Sequence, residues 1–98
     1  MSASPLLRFS PSDNVGAATR ALHAGEEVAF EQAGLRLLED VPLGHKVALV
    51  VIPAGDKVLK YGAPIGTATA PILAGAHVHL HNLRSDYMPP AGRPEVMP

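Results

Sequence analysis

The sequence predicts a small, mainly β domain with one short N-terminal helix. Its 98 residues suffice for one modest hydrophobic core. Nine glycines and ten prolines divide the chain into short segments, which favours strands and turns over long helices. Because 47% of the residues are apolar, we expect a folded domain and not a disordered chain.

The one predicted helix lies in the segment SPSDNVGAATRALHAG (10–25). Ser12 or Asp13 is a suitable N-cap, and apolar residues then recur at helical spacing as far as Leu22. Gly25 follows at the position where helices commonly end. We therefore expect about three turns of helix, packed through one apolar face.

The strands are predicted from a recurring turn motif. The pattern Ala-Gly-x-x-Val, or its Gly-x-x-Val part, occurs at four places: 24–28, 44–47, 54–58 and 74–78. Glycine accepts the positive φ of a tight turn, and valine favours the pleated strand that follows. The motif therefore predicts four strands, which begin near Glu27, His45, Lys57 and His77. The strongest evidence for a strand is the near-continuous apolar run HKVALVVI (45–52), which predicts a strand buried on both faces.

This pattern predicts a single domain with two flanking segments. Residues 7–87 contain the predicted helix and strands, and residues 1–6 precede them as an N-terminal tail. Residues 88–98 form a C-terminal tail with four prolines in its last ten residues. Because proline density of this kind is incompatible with regular structure, we expect the tail to cross a partner's surface or to stay mobile.

Composition excludes several classes of function. A formal net charge of −1, with scattered Lys and Arg, offers no basic surface for nucleic acid or an anionic membrane. The absence of cysteine excludes disulfides, thiolate metal sites and thiol nucleophiles. No apolar run approaches the roughly 20 residues of a membrane span, and the N-terminus does not resemble a signal peptide. We therefore expect a cytosolic protein.

The segment GAHVHLHN (75–82) is the most regular arrangement of chemically capable residues. Strand geometry would place His77, His79 and His81 on one face and Val78 and Leu80 on the other. Two neighbouring imidazoles on such a face can bind one metal ion. All three can rarely bind the same ion, because the first and the third are about twice as far apart as neighbours are. Spacing alone supports an exposed polar face and a functional face equally.

Any metal site needs ligands from elsewhere in the chain or from a partner. His45 is one candidate, and without cysteine the ligands would be nitrogen and oxygen atoms, which suit Fe(II), Mn(II) or Zn(II). His45 and Lys46 follow Gly44, where they are either a solvent-exposed pair or cationic groups that bind a carboxylate. The sequence contains no nucleophile–base motif and no phosphate-binding loop.

Four segments in order carry a family resemblance: DNVGAATRAL (13–22), GHKVAL (44–49), VLKYGAPIG (58–66) and AGAHVHLHN (74–82). Together they resemble the N-terminal SAF-type domain of the altronate/galactarate dehydratases. More closely, the chain resembles the stand-alone small subunit of two-chain hydroxy-acid dehydratases and sulfolactate sulfo-lyase.

The resemblance implies a SAF-type β-clip fold and a subunit of a metal-dependent lyase acting on a small hydroxy-acid. The implied metal is a divalent ion, commonly Fe(II), with Mn(II) or Zn(II) as alternatives, and it is held either by this chain or only in complex with a large catalytic subunit. The resemblance implies catalytic roles for His45, Lys46 and His79, and substrate contacts for Lys46 and Asn82. The candidate metal ligands are His77, His79 and His81, not all of which are expected to bind.

Two other functions remain compatible with the sequence. The chain could be a stand-alone SAF-type module that binds an anionic sugar acid without catalysis. Alternatively, the histidine face and the Pro-rich tail could serve only assembly with another chain or with further copies of this one. We expect neither nucleic acid nor a membrane as a partner.

Overall fold

The computed structural model describes residues 4–31 and 33–86, and these residues form an antiparallel β domain. The predicted Pro-rich tail at 88–98 lies outside the described residues. The strands are β1 (Leu6–Leu7), β2 (Val15–Ala18), β3 (Glu27–Phe30), β4 (Ala33–Arg36), β5 (Lys46–Ala48), β6 (Lys57–Lys60), β7 (Ala63–Ala68), β8 (His77–Val78) and β9 (Leu83–Ser85).

The strands form three sheets in which all pairs are antiparallel. The largest sheet has the order β1-β2-β5-β8, and β8 is therefore an edge strand. Strands β3 and β4 form a hairpin, and β6, β7 and β9 form a three-stranded sheet. None of the described residues belongs to a helix with the length and hydropathy of a membrane span.

The mainly β prediction is confirmed, but the predicted N-terminal helix is wrong. Residues 15–18 form strand β2, and no described residue is helical. The side chain of Asp13 does not cap a helix, because it accepts hydrogen bonds from the backbone N–H groups of Ser10, Tyr61 and Gly62. Gly16, which weakens a helix, lies instead in strand β2, where it pairs with Val47.

Asp13 is one of two buried polar residues among those described. Burial raises the pKa of its carboxyl, but hydrogen bonds from the backbone of Gly62, Tyr61 and Ser10 outweigh that effect and hold the pKa below its usual value. The neighbouring Asn14 bonds the backbone of Lys57 and Leu59. The segment before β2 therefore ties the N-terminal part of the chain to the β6–β7 hairpin.

The four predicted strand entries are confirmed, and each follows the same local geometry. Four glycines adopt φ between +84° and +91° and precede β3, β5, β6 and β8: Gly25, Gly44, Gly55 and Gly75. Three residues before each glycine lies a buried apolar residue, and these pair as Leu22 with Val41 and Ile52 with Ile72. The sequence repeat is therefore longer than the glycine motif alone, since an apolar residue begins each unit.

Two hydrophobic clusters lie on opposite faces of the large sheet. Val47 belongs to one cluster and its neighbour Ala48 to the other, and both are fully buried. Burial on both faces was predicted for this run, and β5 bears it out. The strand ends at Ala48, however, so Val50 and Val51 lie exposed beyond it.

Two parts of the chain cross closely at Gly75. Its N–H donates to the carbonyl of Ala48 at 2.8 Å, and its carbonyl accepts from the N–H of Leu38 at 3.0 Å. A Cβ atom at this position would overlap the backbone carbonyl of Arg36. Glycine is therefore required here both for its positive φ and for the crossing of the chain beside residues 36–38.

We expect Gly75→Ala to lower the free energy of unfolding by at least about 3 kcal/mol, because it combines backbone strain with a clash against backbone. Gly55→Ala is the matched control, since Gly55 has a similar φ of +88° and open space around it. The control should cost only about 1–2 kcal/mol. Equal losses for the two variants in urea unfolding would contradict the importance of this crossing.

Candidate metal and substrate site

Four histidines gather at the edge of the large sheet. His45 immediately precedes β5, and His77 begins β8, where it pairs with Val47. Because strand β8 ends at Val78, His79 and His81 lie in the turn that leads to β9. Two separate segments of the chain thus bring imidazoles to one sheet edge.

His45, His77 and His79 form a tight group of half-buried imidazoles. The Nδ1 atom of His45 lies 2.9 Å from the Nε2 atom of His77, within hydrogen-bond distance. The ring centroid of His79 lies 4.4 Å from that of His45 and 5.5 Å from that of His77. Each ring offers a nitrogen, and the three nitrogens lie within 4.8 Å of one another.

A second group shares His77. The carboxylate of Glu39 and ring nitrogens of His77 and His81 also lie within 4.8 Å of one another. Glu39 additionally accepts a hydrogen bond from the backbone N–H of His77 at 3.1 Å. Glu39 and His81 are exposed, so this group faces solvent more openly than the first.

The geometry of His77, His79 and His81 differs from the expected regular strand face. Val78 is fully buried as expected, but Leu80 is 79% exposed and not directed inward. The reason is that the chain turns after Val78, so alternation does not continue. His79 approaches His45 and His81 approaches Glu39, with His77 between them.

Asn82 holds this turn in place. Its side-chain oxygen accepts from the N–H of His79 at 2.9 Å, and its side-chain nitrogen donates to the carbonyl of His77 at 2.9 Å. The backbone N–H of Asn82 also donates to the carbonyl of His79. Both ends of the side-chain amide therefore fix the backbone that carries the histidines.

Lys46 adds a cationic group beside the histidines. Burial lowers the pKa of its ammonium, and the charge of Lys60 lowers it further. The charge of Lys46 in turn helps to lower the pKa of His79. None of the ion pairs found within residues 4–31 and 33–86 includes Lys46 or Lys60, so neither ammonium is paired with a carboxylate there.

The surroundings of His77 and His79 favour the neutral form of these two imidazoles. Burial lowers the pKa of His77, and the charges of His45, His81 and His79 lower it further, against an opposing effect of Glu39. Partial burial and then the charges of His45, Lys46 and His81 lower the pKa of His79. Neutral imidazole is the form that ligates metal ions, so these shifts favour metal binding.

The first group fits a divalent transition metal. Two nitrogens bound to one tetrahedral Zn(II) at about 2.0–2.1 Å lie about 3.4 Å apart. This spacing is compatible with the three ring nitrogens of the group, which lie within 4.8 Å of one another. The 2.9 Å contact between His45 and His77 is shorter, so these two rings must separate by about half an ångström to admit an ion. Three imidazoles suit Zn(II) or Fe(II) and leave further coordination positions open.

Sequence reasoning identified His45 and the three histidines of the turn but missed Glu39. The Glu39-Asp40 doublet had the pattern of a solvated surface pair, and its contact with His77 spans 38 residues. A surface depression of about 520 Å³ is lined by the β3–β4 hairpin and includes none of the histidines.

The described residues form an all-β domain with an imidazole cluster at one sheet edge. The family model of the altronate/galactarate dehydratase SAF domain matches residues 4–86. The chain therefore belongs to the altronate/galactarate dehydratase SAF domain family.

Three relatives illustrate the relationship. Altronate dehydratase of Escherichia coli (strain K12) is 49% identical over 80 residues, which are 82% of this chain and 16% of that protein. Altronate dehydratase of Bacillus subtilis (strain 168) is 35% identical over 80 residues, which are again 82% of this chain and 16% of that protein. The (2R)-sulfolactate sulfo-lyase subunit alpha of Paracoccus pantotrophus is 48% identical over 46 residues, 47% of this chain and 69% of that subunit. This chain thus spans only 16% of the length of the two dehydratases.

We predict that His45→Gln raises the pKa of both His77 and His79 in the metal-free chain. The charge on protonated His45 opposes protonation of its neighbours, so its removal lets them accept a proton at higher pH. Titration of the imidazole signals by NMR measures this shift, and His23→Gln, which changes an exposed histidine outside both groups, is the control. Unchanged pKa values for His77 and His79 in the His45 variant would refute the coupling.

Proposed function

We propose that this chain is the SAF-domain part of a hydroxy-acid dehydratase or lyase, and that it contributes its histidine edge to an active site shared with a large catalytic subunit. The observation that carries this proposal is the convergence of His45, His77 and His79 within 4.8 Å at an open sheet edge. Family membership supports the reaction class, because the relatives are named dehydratases and a sulfo-lyase.

The share of the relatives that this chain matches supports a site completed by further residues. The chain matches 16% of each altronate dehydratase, and the sulfo-lyase relative is itself named a subunit alpha. We therefore propose that the large subunit covers the histidine edge and supplies the remaining catalytic groups. Under this proposal the site works in the cytoplasm and involves neither nucleic acid nor a membrane.

The substrate would be a small hydroxy-acid from which water, or sulfite in a sulfo-lyase, is eliminated. Elimination requires removal of a proton next to a carboxylate and stabilisation of the charge that develops there. A divalent metal, Fe(II) with Mn(II) or Zn(II) as alternatives, would polarise the carboxylate or the departing group when bound. His45, His77 and His79 are the residues proposed to hold it.

The other residues bind and position. Lys46 would pair with the substrate carboxylate, since its ammonium is half-buried and lies near a second cation, Lys60, and has no acidic partner among the described residues. An anion between these cations would relieve their repulsion and raise the pKa of Lys46 again. Asn82 would maintain the turn that places His79 near His45. Its side-chain amide would also contact a substrate that binds beside this turn.

A chimera tests the proposal. The 80-residue segment of Escherichia coli altronate dehydratase that matches this chain is replaced by the corresponding residues of this chain, and dehydration of altronate is measured. We expect an active chimera, and a loss of about 100-fold or more when His79→Ala is introduced, because a group that contacts the reacting centre is removed.

His23→Ala in the same chimera is the control, because His23 is exposed and belongs to neither group. A His79→Ala chimera with the turnover and metal content of its parent would refute the proposed role. An unmodified chimera that binds the sugar acid without turnover would favour the alternative of a binding module.

A further inference from the structure

His77 belongs to both ligand groups at the sheet edge. With His45 and His79 it forms an inner group, all of whose members are half-buried. With Glu39 and His81 it forms an outer group, in which the other two members are exposed. The two groups therefore represent a sheltered and an open position for a cation, joined by one side chain.

Charge and ligand type distinguish the two positions. The outer group carries the carboxylate of Glu39, which attracts a cation from solution over a longer distance than neutral imidazoles do. The inner group consists of three imidazole ligands, a type that suits late first-row metals such as Co(II) and Zn(II), whereas carboxylate ligands suit harder ions such as Mn(II). The outer position is thus suited to capture and the inner position to retention.

The inner position is closed in the described structure. His45 Nδ1 and His77 Nε2 lie 2.9 Å apart, closer than two ligands of one tetrahedral ion, which are about 3.4 Å apart. An ion that enters the inner group directly finds only His79 outside this hydrogen bond, and it must break the bond to be held by both of these nitrogens. Prior binding through the outer group would supply ligands first and draw His77 away from His45.

We propose that Glu39, His77 and His81 form an entry position, which captures a divalent cation and transfers it to His45, His77 and His79 with His77 as the common ligand. This inference rests on the metal-binding part of the proposed function. It assigns Glu39 and His81 a role in the rate of metal exchange that is separate from their effect on affinity.

Rapid mixing of the full 98-residue chain with Co(II) tests the inference, since the visible absorption of Co(II) reports nitrogen coordination directly. The test variant combines Glu39→Gln with His81→Ala. We expect uptake to slow by about tenfold, the lower end of electrostatic effects on association. Release into excess chelator should slow by the same factor, because an entry path lowers the barrier in both directions, so that Kd changes by less than about twofold.

The matched control combines Glu27→Gln with His23→Ala, which removes one exposed acid and one exposed histidine outside both groups. Its rates should equal those of the unmodified chain. His81→Ala alone is the second test variant and removes only an exposed ring, so it leaves the bond between Glu39 and the backbone of His77 intact. We expect an intermediate slowing in this variant.

Unchanged uptake in the Glu39/His81 variant would overturn the entry position while leaving the inner site and the proposed function intact. A weaker Kd with unchanged uptake would also overturn it, because the two residues would then be permanent ligands. An unmodified chain that takes up no Co(II) would overturn both the inference and the metal-binding part of the proposed function.

Discussion

The crossing of the chain at Gly75 is the constraint on which the candidate site depends. The backbone of Gly75 bonds Ala48 on one side and Leu38 on the other, and only a residue without a Cβ fits against Arg36. This contact brings Glu39 to the N–H of His77 and sets β8 beside β5, next to His45. The candidate ligands come from residues 39–45 and 77–81, two segments far apart in the sequence, and one glycine joins those segments.

The core is built from one repeated local pattern. Each of the four repeated units places a buried apolar residue, a glycine with positive φ and a buried valine at equal intervals, as in Ile72, Gly75 and Val78. Because the turn and the buried residues fix each strand entry, the residues between glycine and valine are free to carry function. In the fourth unit one of these positions is His77, and in the second unit they are His45 and Lys46.

The strand entries were predictable because they depend on local chemistry, namely a glycine turn followed by valine. The helix prediction failed because a short run of apolar spacing from Val15 to Leu22 fits a helix as well as a strand, and the choice was decided by distant partners of Asp13 and Gly16. Likewise His45 and His79 were recognisable as candidates from residue type, whereas Glu39 was not, since its position depends on tertiary contact with His77.

The central claim is that His45, His77 and His79 together hold a divalent metal ion. Anomalous X-ray diffraction from crystals of the chain equilibrated with Zn(II) tests it most directly. The account predicts an anomalous peak about 2.0–2.1 Å from one ring nitrogen of each of these three histidines. Absence of a peak at the sheet edge, or an ion bound without His45 and His79, would contradict it.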